Sequence, residues 1–492
     1  MSHLTKFRTV SIGHILKFSM LAVIVLSWLG CKKYLAVDSP VTSTNAENVY
    51  QSDATAISAL TGIYASMSND GYTFLGGSGF EQMSLYGGLS ADEFVLTSTL
   101  TNGTSPLYYY YQNALTSLNT GSSDFWNKLY KYVYYANAAI EGLQATSALT
   151  PEIKQKLLGE AYFIRAFSYF YLVVNYGDVP IATTTNYSIN SLLARSPKDQ
   201  VWSQIKKDLN TAQGLLAKDY PDGTLLKTTT ERIRPNLFAA NALYSRTALF
   251  TSDWTTAETE ATKLISNTTV LDTVPLNNVF LKNSKETIWS LQPVGSLTTA
   301  NTGDGIFFVP TGSNFPSSAN PVYLSSSLLN SFENGDRRKS NWIKAFTSGS
   351  ATYYYPYKYK IGGVSNASPS EYTMVFRLGE QYLIRAEARA QLNNLSGALQ
   401  DLNIIRKRAG LAAITLTLQA DILAAIYHER QIELFSEWGN RWLDLKRTGL
   451  INSVMPTVTT AKGGSWDSRW ALYPIPSAEL ERDPNLMQNP GY

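Results

Sequence analysis

Thr150 to Pro180 reads TPEIKQKLLGEAYFIRAFSYFYLVVNYGDVP. Pro151 follows Thr150, and proline suits the first helical position, where its missing N–H would have no partner anyway. From there Ile153, Leu157, Ala161, Ile164 and Tyr171 recur on one face of a helix, and Gly177-Asp178-Val179-Pro180 ends it. Other stretches repeat the pattern. Ser196-Pro197-Lys198-Asp199 opens a helix that aligns Val201, Ile205, Leu209 and Ala212. Leu237, Ala240, Tyr244 and Ala248 form a third, followed after Asp253-Trp254 by a helix through Ala257, Ala261 and Leu264. Ile384, Ala388 and Leu392 lead through Asn393-Asn394 into a helix through Ala398, Leu402 and Ile405, and a last pair covers about 420–435 and 439–448.

Alanines on the inner faces let helices approach closely, which is the logic of tetratricopeptide-type repeats. Arg165-Ala166, Arg246-Thr247 and Arg385-Ala386 open comparable stretches, 81 and then 139 residues apart. That spacing predicts degenerate repeats, over about 124–266 and 371–450, broken by insertions. The insertions, about 66–122 and 267–370, are rich in Gly, Ser, Thr, Asn and Tyr, as in LYYYY (Leu107–Tyr111), FFVP (Phe307–Pro310) and YYYPYKY (Tyr353–Tyr359). Short strands are expected there, for instance Thr287–Leu291. Long loops on a rigid scaffold are where binding concentrates.

The net charge of +3 comes from 41 Lys+Arg against 38 Asp+Glu, and residues 1–30 carry Lys6, Arg8 and Lys17 with no acid. Without them the chain is neutral, which argues against nucleic-acid binding. Phe18–Leu29 is about a dozen mostly apolar residues, too short for a hydrocarbon core of about 30 Å. A basic leader, a short apolar run and Gly30 describe an export signal, residues 1–30. Cys31, the only cysteine, follows at once and is expected to carry lipid as the first residue of a mature chain 31–492 that forms one domain. Beyond the leader the only histidine is His428. Disulfide scaffolds, Cys/His zinc centres and thiol enzymes lack their residues here, so no metal and no cofactor is expected. Gly76-Gly77-Ser78-Gly79 has neither the Lys-Ser/Thr nor the following helix of a phosphate loop. Glu429, Glu433 and Glu437 recur every four residues near Arg430, Arg441, Asp444 and Arg447, a stripe that most simply ties one helix to its neighbours.

With 31 Tyr and 10 Trp, rings able to stack on sugars are plentiful, although many belong to helix interfaces, including most Tyr of 108–135 and 162–176. The loop aromatics Tyr72, Phe74, Tyr108, Phe307, Phe308, Trp342 and Tyr355 are the ligand candidates, with Asp92 and Asn314 as hydrogen-bonding partners. Asp92-Glu93 is the nearest approach to a catalytic carboxylate pair, but adjacent residues usually point apart.

Five ordered stretches resemble the SusD/RagB family of outer-membrane nutrient-binding lipoproteins. They are LAVIVLSWLGCKKYLAVDSP (Leu21–Pro40), GEAYFIRAFSYFYLVVNYGDVPI (Gly159–Ile181), YLIRAEARAQLNNLSGALQDLNIIRKRAGL (Tyr382–Leu411), HERQIELFSEWGNRWLDLKRTG (His428–Gly449) and LYPIPSAELERDPNLMQNPGY (Leu472–Tyr492). The resemblance implies a mainly α fold of four tetratricopeptide-like helix pairs with loop-rich insertions and few strands. It also implies a non-catalytic protein at the outer membrane, facing outward, which captures glycan or peptide and passes it to a SusC-like TonB-dependent transporter. The competing readings are a structural helical-repeat adaptor and a glycoside hydrolase. Replacing Cys31 by Ala is expected to move the protein from the membrane to the soluble fraction, and continued membrane fractionation would refute the anchor.

Overall fold

The computed structural model describes residues 49–69, 82–103, 105–119, 125–294, 302–363 and 368–492; Cys31, Tyr72 and Phe74 lie outside them. In chain order the principal elements are α1 (Asp53–Asn69), α2 (Met83–Ser90), β1 (Phe94–Leu96), α3 (Pro106–Tyr111), α4 (Phe125–Ala145), α5 (Pro151–Tyr176), α6 (Lys198–Leu215), α7 (Leu237–Phe250) and α8 (Trp254–Ile265). Then come β2 (Thr287–Leu291), β3 (Val322–Leu324), α9 (Arg337–Trp342), the hairpin β4 (Ile343–Ser348) and β5 (Ala351–Pro356), and β6 (Thr373–Arg377). The chain closes with α10 (Leu378–Gln391), α11 (Leu395–Arg408), α12 (Gln419–Glu433), α13 (Asn440–Arg447) and α14 (Ile451–Ala461), and a short helix, Ser477–Arg482. The fold is mainly helical, and the expected strand Thr287–Leu291 is present, paired antiparallel with β6.

Each long helix packs on the next, α4 on α5, α5 on α6, α6 on α7 and α7 on α8. The stack then passes directly from α8 to α10, although residues 266–377 separate them in sequence, and continues to α11 and α12. α5 is long and apolar enough to cross a membrane, but it is the buried centre of this stack, with every residue from Phe163 to Tyr176 buried. The alanines lie at the crossings: Ala161, Ala212, Ala240, Ala261, Ala388 and Ala398 have no exposed surface. One crossing admits only glycine. A Cβ on Gly87 in α2 would lie 2.5 Å from the Cα of Gly439, and Gly439 itself has φ +68°, where a side chain is strained.

The three arginines that mark the repeats share one job. Arg165 makes a two-pronged pair with Asp208 of α6 (2.8 and 2.7 Å), Arg246 with Glu380 of α10 (2.7 and 2.6 Å), and Arg385 with Asp401 of α11 (2.9 and 2.7 Å). Two parallel N–H···O bonds fix both distance and rotation between helices, which a point charge does not. Arg447 of α13 grips Glu387 of α10 in the same way.

The acidic stripe of α12 likewise ties helices and strands together. Glu433 accepts from Arg377 at the end of β6 (2.6 Å), from Arg338 in α9 (3.0 Å) and from Arg408 in α11. Arg377 also reaches Glu286 (3.0 Å) and Glu437 (2.8 Å), and Arg338 pairs with Asp336 (2.8 Å) and Glu429 (2.6 Å). Burial would push the Glu433 carboxyl up, but the guanidiniums of Arg408, Arg377 and Arg338 outweigh it and hold the group well below the usual carboxylate range. Its contribution to stability is therefore complete above the unfolded carboxyl value of about 4.3 and is lost as pH falls below that. Glu433→Ala leaves three buried guanidiniums short of an acceptor and is expected to cost about 3–5 kcal/mol in denaturant unfolding. A cost under about 1 kcal/mol would show that solvent replaces the carboxylate.

Candidate functional site

Two distant parts of the sequence build one aromatic surface. β1, from the first insertion, pairs antiparallel with β3, from the second, in the register Phe94↔Leu324, Val95↔Tyr323 and Leu96↔Val322. Period-two alternation turns Phe94, Leu96, Val322 and Leu324 into the core and leaves Val95 and Tyr323 half-buried on the other face. β3 in turn packs on β5 of the hairpin, whose Tyr353 pairs with Phe346 of β4. The Tyr323 and Tyr353 rings meet edge to face with centroids 5.0 Å apart. Phe315 fills the space beneath, 5.6 Å from Phe346, 6.2 Å from Tyr353 and 5.5 Å from Tyr355. On the other side α3 packs against β1.

This surface has partly exposed rings at Tyr323, Phe346 and Tyr353; α3, packed on β1, carries the partly exposed Tyr108 and Tyr109, and Asn314 is exposed next to Phe315 in the chain. The Tyr109 hydroxyl donates to the carbonyl of Gly103 (2.8 Å), which fixes its ring. Burial and the neighbouring Tyr353 hydroxyl raise the Tyr323 phenol; burial, and then Tyr323, push Tyr111 up to about 12. Both stay protonated at neutral pH. The arrangement presents flat apolar ring faces edged by neutral hydroxyl and amide groups, which suits stacking and hydrogen bonding to an uncharged polar ligand.

The sequence candidates divide accordingly. Tyr108 is partly exposed on α3, which packs on β1, Asn314 is exposed next to Phe315 in the chain, and Tyr355 is buried against Phe315. Phe307, Phe308 and Trp342 are core residues whose faces are committed inside the chain. The Phe308 ring packs tilted against Phe94 (5.2 Å), and Trp342 donates its indole N–H to the carbonyl of Leu276 (3.0 Å). Asp92 is buried and held in a two-pronged pair by Arg441 (2.8 and 2.8 Å), so it serves the join between β1 and α13. The sequence reading missed Tyr323, Phe346 and Tyr353. Composition had marked YYYPYKY, but only the strand shows that Tyr353 and Tyr355 share the face toward Phe315, with Tyr353 partly exposed and Tyr355 buried, while Tyr354 points the other way and is exposed.

Glu93, beside Asp92, is a buried carboxyl near this site. Its Oε1 accepts from the N–H of Ser436 (3.2 Å), and its Oε2 has no partner. Burial, and then the Asp92 carboxylate, push it up to about 8. Half-buried His428 on α12 is lowered by burial and lies by Glu333, Arg338 and Arg406, a setting of ion pairs. Among the described residues no three His, Cys, Asp or Glu side chains gather as a metal site.

Comparison with known proteins agrees with the architecture. The SusD family pattern matches residues 329–492, and a second pattern, described as starch-binding associating with outer membrane, matches residues 80–249. The chain belongs to the SusD/RagB family. SusD-like protein P25 of Formosa agariphila is 25% identical over 95% of this chain and 96% of its own. The starch-binding protein SusD of Bacteroides thetaiotaomicron is 32% identical over 34% of this chain and 30% of its own. A laminarin-binding SusD-like protein of known structure superposes with a TM-score of 0.73 at 20% identity, over 89% of this chain and 99% of its own.

The raised value of Glu93 has a sign that can be measured. The folded state holds this proton more tightly than the unfolded chain, so the contribution is full below about pH 4.3 and is lost as pH rises toward 8. Glu93→Gln, which keeps the uncharged shape, is expected to gain melting temperature over the parent progressively between pH 5 and 8. A gap independent of pH would refute the assignment.

Proposed function

We propose that this protein captures oligosaccharide at the cell surface and hands it to a partner TonB-dependent transporter. The observation that carries the reading is the aromatic surface of Tyr323, Phe346 and Tyr353 with Tyr108 and Asn314, assembled from both loop-rich insertions on a rigid helical stack. Rings that stack on the apolar face of a pyranose, edged by neutral hydrogen-bonding groups, recognise neutral glycans, while the buried charges are committed to one another. The family description that places a relative pattern at the outer membrane, and the starch- and laminarin-binding relatives, support the same class of cargo.

In this reading the protein is a binder without catalytic groups, exported by residues 1–30, anchored by lipid on Cys31 and facing outward. A SusC-like transporter is its partner, and Tyr72 and Phe74 are candidate glycan contacts. Asp92 contributes indirectly, by fixing β1. Peptide cargo is the competing outcome.

The test is a panel of neutral and charged oligosaccharides and peptides, run against the soluble chain from Lys32 onward. At least one neutral glycan is expected to raise the melting temperature, and Tyr323→Ala with Tyr353→Ala is expected to weaken its binding about tenfold or more. Binding confined to peptides, or unaffected by the double variant, would overturn the reading.

A further inference from the structure

A second concave site lies away from the insertions, on the flank of α4. One stripe of that helix, Trp126, Tyr130, Tyr134 and Asn137, faces the 180–193 loop and the C-terminal segment rather than α5. The cavity between them has a volume of about 360 Å³, within the range of about 300–1,000 Å³ usual for small-molecule sites. Trp126 forms its floor, 3% exposed, with the Tyr130 ring tilted against it at 4.9 Å. Tyr134 and Tyr187 rise at the rim, 51% and 81% exposed.

The walls are built, not incidental. Asn137 donates to the carbonyls of Ala182 (3.0 Å) and Thr184 (3.2 Å) and accepts from Arg165 (2.9 Å), which pins the loop to α4. The Tyr130 hydroxyl donates to the carbonyl of Pro180 (2.8 Å). Asn190 donates to the carbonyl of Thr184 (2.7 Å), which holds the wall in place. Glu479 and Asp483 line the opposite side, with Arg482 paired to Glu479.

We propose that this groove is a second sugar-binding site, which takes a neutral pyranose unit of a glycan. The inference rests on the glycan reading above only for the class of ligand. A pyranose has what the walls ask for: an apolar ring face for Tyr130, Tyr134 and Tyr187, and hydroxyls that donate to Glu479 and Asp483. Two carboxylates against one arginine disfavour uronic and sulfated sugars. The site belongs to the helical stack and the C-terminal segment, so its occupancy is independent of the insertion surface.

The experiment titrates laminaritriose and maltotriose, followed by ligand-observed NMR and calorimetry, into the soluble chain from Lys32. Three further proteins run alongside: Tyr134→Ala with Tyr187→Ala, Tyr323→Ala with Tyr353→Ala, and all four substitutions together. All four side chains are at least partly exposed, and unchanged melting temperatures will verify folding. The parent is expected to bind at two sites and each double variant at one, with binding abolished in the quadruple variant. A Tyr134/Tyr187 variant that titrates like the parent would overturn the groove while leaving the insertion surface standing. Loss of binding in that variant alone supports the groove and counts against the insertion surface. If the parent binds neither trisaccharide, the groove proposal fails, and the capture reading is decided by the wider panel.

Discussion

A carboxylate taken wholly out of water has to be paired, and Glu433 is paired three times. Its guanidinium partners come from α9, from the end of β6 and from α11, so one buried anion joins the stretch that bears the aromatic surface to the helices that follow it. Desolvation of these charges is unfavourable on its own, and the geometry of several bonds to each group offsets it. The consequence is positional. The hairpin β4–β5 starts directly from α9, and α10 starts directly from β6, so both inherit their placement from the same knot. Farther out, the pairs Arg165–Asp208, Arg246–Glu380 and Arg385–Asp401 set each helix against its neighbour by the same chemistry.

Much of this was legible in the sequence. Helical periodicity located the long helices, and the alanines marked the crossings. The recurring arginines revealed a repeat whose spacing was irregular because α8 and α10 meet in space and not in sequence. The stripe of Glu429, Glu433 and Glu437 announced its role through period and charge alone. The site was harder to read. An aromatic-rich loop says that rings are available, but burial decides which of them keep an open face. Trp342 and Phe308 were drawn into the core because the loops fold back as short helices and strands onto the same hydrophobic core that the long helices build. Tyr323 stayed outside because a two-residue period alternates it with the core positions Val322 and Leu324, and Tyr353 keeps an open edge because it lies farther along the hairpin than the buried Tyr355. Most tyrosines of 108–135 do serve the core, and Tyr134 and Tyr135 are the exposed exceptions.

The two ring-lined surfaces have different physical characters. The insertion surface is open and formed by rings standing edge to face, suited to a long ligand lying across it. The groove on α4 is concave, with a closed floor and two carboxylates on one wall, suited to one end or one unit of a chain. A polymer that touched both would gain from the higher effective concentration of the second contact.

The passage of the stack straight from α8 to α10 has a consequence for how such a chain can change. Arg385 and Arg389 of α10 reach Thr262 and Glu258 of α8, so the helices run antiparallel and the stretch between them leaves and re-enters at neighbouring points. Joining two fixed, adjacent ends is entropically forgiving, and doubling the length of a flexible connection costs only about 0.6 kcal/mol. Insertions and deletions there need not disturb the helical stack beyond the few residues that reach Glu433. The recognition surface is thus free to diverge in length and sequence while the scaffold beneath it is inherited unchanged.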